Sequence, residues 1–178
     1  MKKYILIILL LAGFNSFAQI KSGTLVASGL TCSMCSKAIY KALEALPMIQ
    51  TVEVDIEKSS YKMTFKEGTI SPDDIRSAVE NAGFFVASLQ LQGIFKENKV
   101  GKDTHLDING STYHFVGVKD QTLDGEKTIT IIDKSYLPQK ERKKYSHKTN
   151  MKCFETGYMA SCCPSFANTA KRIYHVTL

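Results

Sequence analysis

Residues 29–35 read GLTCSMC and lie between two segments of different periodicity. The preceding residues, 23–29, contain an apolar run and predict a strand. Residues 36–46 carry apolar side chains at helical spacing and predict an amphipathic helix. A loop that joins a strand to a helix places Cys32 and Cys35 beside backbone N–H groups and the positive end of the helix dipole, which favour the thiolate form.

Two more strands, a second helix and a last strand follow. Alternation of polar and apolar side chains over residues 51–56, and again over 61–65, predicts a half-buried hairpin. Ser71 and Pro72 predict a helix start, because serine caps free N–H groups and proline fits the first helical position. A strand over 84–91 completes the order β-α-β-β-α-β. This order predicts a ferredoxin-like fold of the α+β class, with a four-stranded antiparallel sheet and both helices on one face.

Residues 22–92 resemble the heavy-metal-associated domain family, which includes copper chaperones, the N-terminal repeats of copper-transporting ATPases and a periplasmic mercury-binding protein. The resemblance is carried by the loop 29–35, the helix directly after it and residues 81–84, which read NAGF. It implies that Cys32 and Cys35 bind Cu(I), Hg(II) or a similar soft ion.

Two side chains near the loop bear on this resemblance. The family usually has a methionine two residues before the first cysteine, where this chain has Leu30. That methionine is generally a buried packing residue, so leucine keeps its shape. The resemblance also implies an aromatic side chain, here Phe84, packed near the metal site.

The motif admits other chemistry besides Cu(I) binding. Two thiolates suit a soft d¹⁰ ion such as Cu(I), and Hg(II) has the same preference. A structural zinc site takes four ligands, and no second C-x-x-C or histidine pair lies nearby in the sequence. An exported thiol–disulfide oxidoreductase stays an alternative, although surroundings of the Trp-Cys-Gly-Pro-Cys kind are absent. We expect Met34, between the cysteines, to pack in the loop rather than to bind metal.

Residues 1–18 are typical of a secretory signal peptide. Lys2 and Lys3 form a charged start, residues 4–13 are apolar, and small residues precede a cleavage site after Ala18. Because the apolar stretch is shorter than the roughly 20 residues of a membrane span, we expect cleavage and no stable membrane insertion. The mature chain is then exported, to the periplasm if the host is Gram-negative.

The composition indicates a globular fold, and the mildly basic charge is ordinary for an exported domain. The formal charge is +6, and removal of Lys2 and Lys3 with the signal peptide lowers it to +4. A balance this mild does not indicate a nucleic-acid partner. No Gly-rich phosphate loop, catalytic carboxylate pair or nucleophile–base arrangement is apparent. We therefore expect no enzymatic activity, and a membrane metal transporter or another metal carrier as the partner.

The family resemblance ends at residue 92, so the rest of the chain is interpreted from its residue pattern alone. Residues 93–103 are polar and predict a linker. Residues 104–178 predict a small β-rich domain of about five strands, which would suit a barrel of the oligonucleotide/oligosaccharide-binding type. The predicted elements are strands at 104–108, 112–118, 127–133 and 171–178, turns at Asn109–Gly110 and Asp124–Gly125, and a short helix within 137–145.

Three further cysteines lie in this second part, at Cys153, Cys162 and Cys163. In an oxidising compartment they predict a disulfide from Cys153 to Cys162 or to Cys163, since neighbouring cysteines rarely pair with each other. The alternative is a second soft-metal site built from the same thiols. Its further ligands would come from Met151, Met159, His147 or His175. The four histidines are scattered along the chain and indicate no catalytic role.

A basic cluster occupies residues 140–144, which read KERKK. Such a run usually forms a solvated face. Its alternative use is docking onto an acidic partner or an anionic membrane surface, which salt would screen.

Overall fold

The computed structural model describes residues 18–30, 33–159 and 170–178. The elements of the first part are β1 (Ala18–Ser28), α1 (Ser33–Glu44), β2 (Ile49–Asp55), β3 (Ser60–Phe65), α2 (Pro72–Asn81) and β4 (Phe85–Val100). The elements of the second part are β5 (His105–Ile108), β6 (Ser111–Phe115), β7 (Gln121–Ile131), α3 (Gln139–Arg142), α4 (Cys153–Thr156), β8 (Tyr158–Met159) and β9 (Lys171–Thr177).

The first part has the predicted β-α-β-β-α-β order. Its strands pair antiparallel in the order β2-β3-β1-β4, and the two helices pack against each other. Both helices bury apolar side chains in the same core as the sheet, through Ile39 and Leu43 of α1 and Ile75 and Val79 of α2. The ferredoxin-like arrangement expected from the sequence is therefore present.

Local signals placed α2 correctly, and two other boundaries differ from the prediction. The Ser71 hydroxyl accepts a hydrogen bond from the Asp74 backbone N–H at 3.2 Å, which is the predicted cap. Helix α1 begins at Ser33 rather than at residue 36, so Cys35 lies in its first turn. Strand β2 is at the sheet edge and more exposed than predicted, with Ile56 just beyond it 59% exposed.

Strand β4 runs through most of the segment predicted as a linker, 93–103, and ends only at Val100. It pairs with β1 as far as Phe95 opposite Ala18, which is why β1 is longer than predicted. Gly93 allows this pairing, because a Cβ there would lie 2.7 Å from the Gln19 carbonyl oxygen. The linker assignment is therefore wrong at the level of secondary structure. The proposed domain boundaries stay a prediction.

The second part continues the same sheet in the order β4-β7-β9-β6-β5, and β6 and β9 run parallel. Asn109 and Gly110 both have positive φ, 49° and 76°, as the predicted two-residue hairpin turn requires. The turn predicted at Asp124–Gly125 is wrong. Gly125, with φ 71°, lies inside β7 opposite Phe95, beside a β-bulge in β4 that places Lys96 and Glu97 against Asp124.

The barrel predicted for residues 104–178 is not confirmed. Strands β2 and β5 end the sheet, and no ladder among the described residues joins β5 back to β4. The expected helix within 137–145 is present as α3, and the expected closing strand is β9.

One apolar cluster extends through both parts. It includes Leu25 and Met63 from the first part and Phe115 and Ile131 from the second. Within the described segments, no helix has the length and apolar character needed to cross a membrane.

Candidate metal centres

The loop after β1 opens to solvent at the start of α1. Gly29 ends the strand with φ 89°, a conformation that glycine adopts without strain. Met34 is 71% exposed and Cys35 is half-buried. The first motif cysteine, Cys32, lies outside the described residues, so the pairing of the two sulfurs stays a prediction.

The inner side of this loop is apolar and aromatic. Leu30 packs against the main core, as expected of a residue that replaces the usual methionine. A Cβ placed on Gly29 would lie 3.9 Å from Phe84, so this aromatic ring borders the loop. The buried Tyr61 hydroxyl donates to the Ser36 carbonyl oxygen at 3.4 Å. Burial raises the pKa of Tyr61, and Cys35 acts in the same direction.

The charge distribution at the start of α1 favours a thiolate at Cys35. The first turn contains no acidic side chain, and Lys37 lies exposed one turn from the loop. The positive end of a helix dipole stabilises an anion in the first turn. The exposed loop therefore suits ligand chemistry that needs access for an incoming group.

A second cluster lies in the interior of the second part of the chain. His114 of β6, Cys153 of α4 and His175 of β9 have no exposed side-chain surface. Strands β6 and β9 are parallel, and their register places His114 directly beside His175. The ligand atoms of these three residues all lie within 4.8 Å of one another.

Both imidazoles of this cluster have one nitrogen towards the sulfur and one on a carboxylate. The Cys153 Sγ lies 3.8 Å from His114 Nδ1 and 3.5 Å from His175 Nε2. On the far side, His114 Nε2 lies 2.9 Å from Asp103 Oδ1, and His175 Nδ1 lies 2.6 Å from Asp133 Oδ1. The carboxylates accept from the N–H of each ring and so leave the sulfur-facing nitrogens with a lone pair.

A third histidine borders the cluster. The His105 ring centroid lies 4.6 Å from that of His114. Its buried Nε2 has no hydrogen-bond partner within the part of the chain that the structure describes. Burial lowers the pKa of His105, and burial together with His175 lowers the pKa of His114 to about 4. The His114 ring is therefore neutral at pH 7, which is the form that binds metals.

Some of the residues predicted for a second metal site lie together in this cluster, and others do not. Cys153 packs with the buried Met159 and the partly buried Met151, as the sequence hypothesis required. His175 joins them, whereas His147 is exposed and lies outside the cluster. Cys162 and Cys163 lie outside the described residues, so both disulfide pairings stay predictions. His114 was missed, because only the parallel pairing of β6 with β9 places it in the cluster.

A charged bridge ties this interior cluster to the first part of the chain. Arg172 donates to Asp73 of α2 at 2.8 Å and to Asp133 at 3.2 Å. Tyr136 also donates to Asp73, at 2.7 Å. Burial acts to raise the pKa of Asp73, but the hydrogen bonds from Arg172 and Tyr136 outweigh it and hold that pKa below its usual value. Asp133 thus contacts both Arg172 and His175.

The predicted basic cluster at residues 140–144 is only partly a free face. Lys140 and Lys143 are exposed, and Lys144 pairs with Glu141. Arg142 instead lies over the Phe154 ring at 4.3 Å and donates to the Phe154 carbonyl oxygen. This arginine packs the α3 region onto α4, so it has a structural contact of its own.

Comparison with known proteins concerns the part of the chain that contains the C-x-x-C loop. The profile of the heavy-metal-associated domain matches residues 24–85. The chain is 31% identical over 64 residues to the copper chaperone CopZ of Bacillus subtilis, covering 36% of this chain and 93% of CopZ. It is 38% identical over 61 residues to the mercuric reductase of Shigella flexneri, covering 34% of this chain and only 11% of that enzyme.

Among solved structures, oxidized MerP from Ralstonia metallidurans CH34 is 26% identical, with a TM-score of 0.36, over 38% of this chain and 94% of that protein. The profile match includes Cys32 and Cys35 but ends before His114, Cys153 and His175. Through residues 24–85, the chain belongs to the heavy-metal-associated domain family.

Proposed function

We propose that the protein is an exported carrier of a soft metal ion, with Cu(I) held by Cys32 and Cys35. The observation that carries the proposal is the position of Cys35 in the exposed first turn of α1, without an acidic neighbour in that turn. Two thiolates there would satisfy a soft d¹⁰ ion and leave one side open. The family relationship and the likeness to a copper chaperone support the same ligands.

Transfer follows from the open side of the site. A thiolate of the partner bonds to Cu(I) first, the bond to Cys32 or Cys35 then breaks, and a second exchange of the same kind releases the ion from the other cysteine. The departing cysteine takes up the proton that the partner thiol gave up, and the oxidation state of copper does not change. The partner is a membrane metal transporter or another metal carrier. The chain needs no enzymatic activity of its own for this exchange.

Export is part of the proposal, because the segment 1–18 has the pattern of a signal peptide. In a Gram-negative host, the mature chain would begin at Gln19 in the periplasm. There it would capture copper for delivery or hold it in a sequestered form.

Hg(II) binding is the second candidate, and the likeness to mercuric reductase favours it. The same two thiolates would serve, because Hg(II) shares the preference of Cu(I) for few, soft ligands. Growth of a deletion strain on copper salts and on mercury salts separates the two ions. Sensitivity to copper alone supports the first candidate, and sensitivity to mercury alone replaces it with the second.

A Cu(I) competition titration against a chromophoric chelator tests the site itself. The reduced mature chain is compared with C32S/C35S and with Met34→Leu, a control that changes an exposed side chain in the same turn. The proposal expects C32S/C35S to lose one equivalent of Cu(I) and Met34→Leu to keep it. An unchanged stoichiometry in C32S/C35S would contradict the proposal, as would metal-free insulin reduction that depends on Cys32.

A further inference from the structure

We propose that His114, Cys153 and His175 form a second, interior copper site, separate from the C-x-x-C loop. All three side chains are buried, and their ligand atoms lie within 4.8 Å of one another. The matched family region ends before the first of them. This inference does not depend on the function proposed for Cys32 and Cys35.

The spacing of the ligand atoms fits a metal ion. An ion bound by sulfur at about 2.3 Å and by nitrogen at about 2.0–2.1 Å holds the two atoms about 3.5–3.8 Å apart in tetrahedral to trigonal geometry. The observed separations from the Cys153 Sγ are 3.5 Å to His175 Nε2 and 3.8 Å to His114 Nδ1. The two sulfur–nitrogen edges of the triangle therefore have the length that a bound ion requires, whereas the nitrogen–nitrogen edge, within 4.8 Å, would shorten to about 4 Å or less on binding.

Proton counting also favours an ion over hydrogen bonds alone. The N–H of each imidazole is used by Asp103 or Asp133, so both sulfur-facing nitrogens offer lone pairs. A thiol has a single proton and can donate it to only one of the two. A thiolate with a bound cation satisfies both nitrogens at once.

The two carboxylates complete a familiar metal arrangement. A metal-binding imidazole usually donates its other N–H to a carboxylate, which fixes the ring orientation and makes the ligand nitrogen more basic. Here this occurs twice, through Asp103 on His114 and Asp133 on His175. Asp133 is itself held by Arg172, so the second ring is fixed by a connected set of charges.

The surroundings of the sulfur favour copper over zinc. Cys153 packs with Met159, which is buried, and with Met151. Thiolates and imidazoles bind both Cu(I) and zinc, but a nearby thioether favours Cu(I), and two histidines with one cysteine and a methionine form the ligand set of trigonal copper sites. A structural zinc site normally takes four firm ligands. The buried Nε2 of His105 adds an unpaired imidazole nitrogen at the edge of the cluster, within the described part of the chain.

The test uses the full mature chain with C32S/C35S, which removes both thiols of the C-x-x-C loop and leaves the cysteines of the second part in place. The reduced protein is loaded separately with Cu(I) and with Zn(II), and the bound metal is counted. X-ray absorption at the metal edge then gives the ligands. The proposal expects one equivalent of copper bound by one sulfur and two nitrogens.

Substitutions then assign those ligands. Cys153→Ser and His175→Gln, each on C32S/C35S, should abolish the copper equivalent, whereas the exposed control His147→Gln should keep it. Circular dichroism checks that each variant is folded. Because the buried variants can fail to fold, the ligand spectrum of C32S/C35S itself is the deciding measurement.

Several results would overturn the proposal. If folded C32S/C35S binds no metal, the interior cluster is not a metal site. If the bound metal is coordinated by sulfur alone, the two histidines are not its ligands. Peptide mapping that finds Cys153 in a disulfide in the exported protein also contradicts it. Zinc bound in place of copper by the same three ligands overturns the choice of ion.

Discussion

The start of α1 and the interior beside β9 offer metal ligands in opposite surroundings. Met34 in the exposed turn is 71% open to solvent and Cys35 is half-buried, whereas His114, Cys153 and His175 have no exposed side chain at all. Cys35 lies in the first turn of α1, beside solvent. The interior cluster holds each histidine through a carboxylate.

Because of this difference, metal exchange can take place at one position and metal retention at the other. A partner thiolate can approach an exposed loop without any change in the fold. To reach the interior cluster, the same partner would have to displace α4 or open the sheet, since Cys153 lies on α4 and both histidines lie on paired strands. We therefore propose rapid metal exchange at the loop and slow exchange at the interior site.

The largest expected effect is on the stability of the metal-free protein when an interior ligand is lost. His175→Ala leaves the buried Asp133 carboxylate without the imidazole N–H that it accepts from, and loss of a buried hydrogen bond to a charged group costs about 3 kcal/mol. For a chain of this size the Tm should fall by roughly 6–12 °C. Thermal unfolding followed by circular dichroism measures this, and a shift below 2 °C would contradict the tight packing assigned to the cluster.

The next effect concerns the carboxylates behind the histidines. Asp103→Asn keeps the size of the side chain but weakens its hydrogen bond to His114 Nε2. Loss of such a partner typically lowers metal affinity by about 10–100-fold. Competition titrations should show this loss at the interior site and none at the C-x-x-C site. Equal losses at both sites would mean that Asp103 does not act through His114.

A smaller effect is expected at the bridge between the two regions. Asp73→Asn removes the charge that pairs with Arg172, which should cost about 1.5 kcal/mol, because hydrogen bonds to charged groups contribute about that much. The pKa of Asp73 lies below its usual value in the folded protein. Its contribution is therefore present at neutral pH and is lost as the pH falls through that lowered pKa.

Denaturant unfolding of wild type and Asp73→Asn at several pH values checks the sign of this contribution. The stability difference should be full above about pH 5 and should shrink as the pH falls through the lowered pKa of Asp73. A difference that grows on acidification would contradict the charged bridge. At each neutral pH, the affinity of the C-x-x-C site for Cu(I) should be the same in Asp73→Asn as in wild type.

The smallest effect is expected at the exposed turn. Met34→Leu changes a side chain that lies mostly in solvent, so the free energy of unfolding should change by less than about 0.5 kcal/mol. Its Cu(I) affinity should also match that of wild type. A marked loss of Cu(I) affinity would indicate that Met34 is a third ligand beside Cys32 and Cys35.

Sequence patterns were sufficient where local structure decides the outcome. The Ser71 cap, the Asn109–Gly110 turn and the helix after the C-x-x-C loop are all present, because each depends on residues a few positions apart. The same local signals misled at Asp124–Gly125. There, pairing with β4 places the turn dipeptide inside a long strand, opposite a bulge in β4.

The interior cluster could not be predicted in the same way. His114 and His175 meet because β6 and β9 pair in parallel, and this pairing joins segments that are far apart in the chain. No short sequence motif predicts a contact of this kind. The sequence indicated Cys153 and His175 as candidates by their chemistry, and only the sheet topology adds His114 and the two carboxylates.

The rate of copper removal tests the central difference most directly. The mature chain, loaded with two equivalents of Cu(I), is mixed with an excess of chromophoric chelator and followed over time. We expect two phases of one equivalent each: a fast phase that is lost in C32S/C35S and a slow phase that is lost in Cys153→Ser. A single phase, or a slow phase that persists in Cys153→Ser, would contradict it.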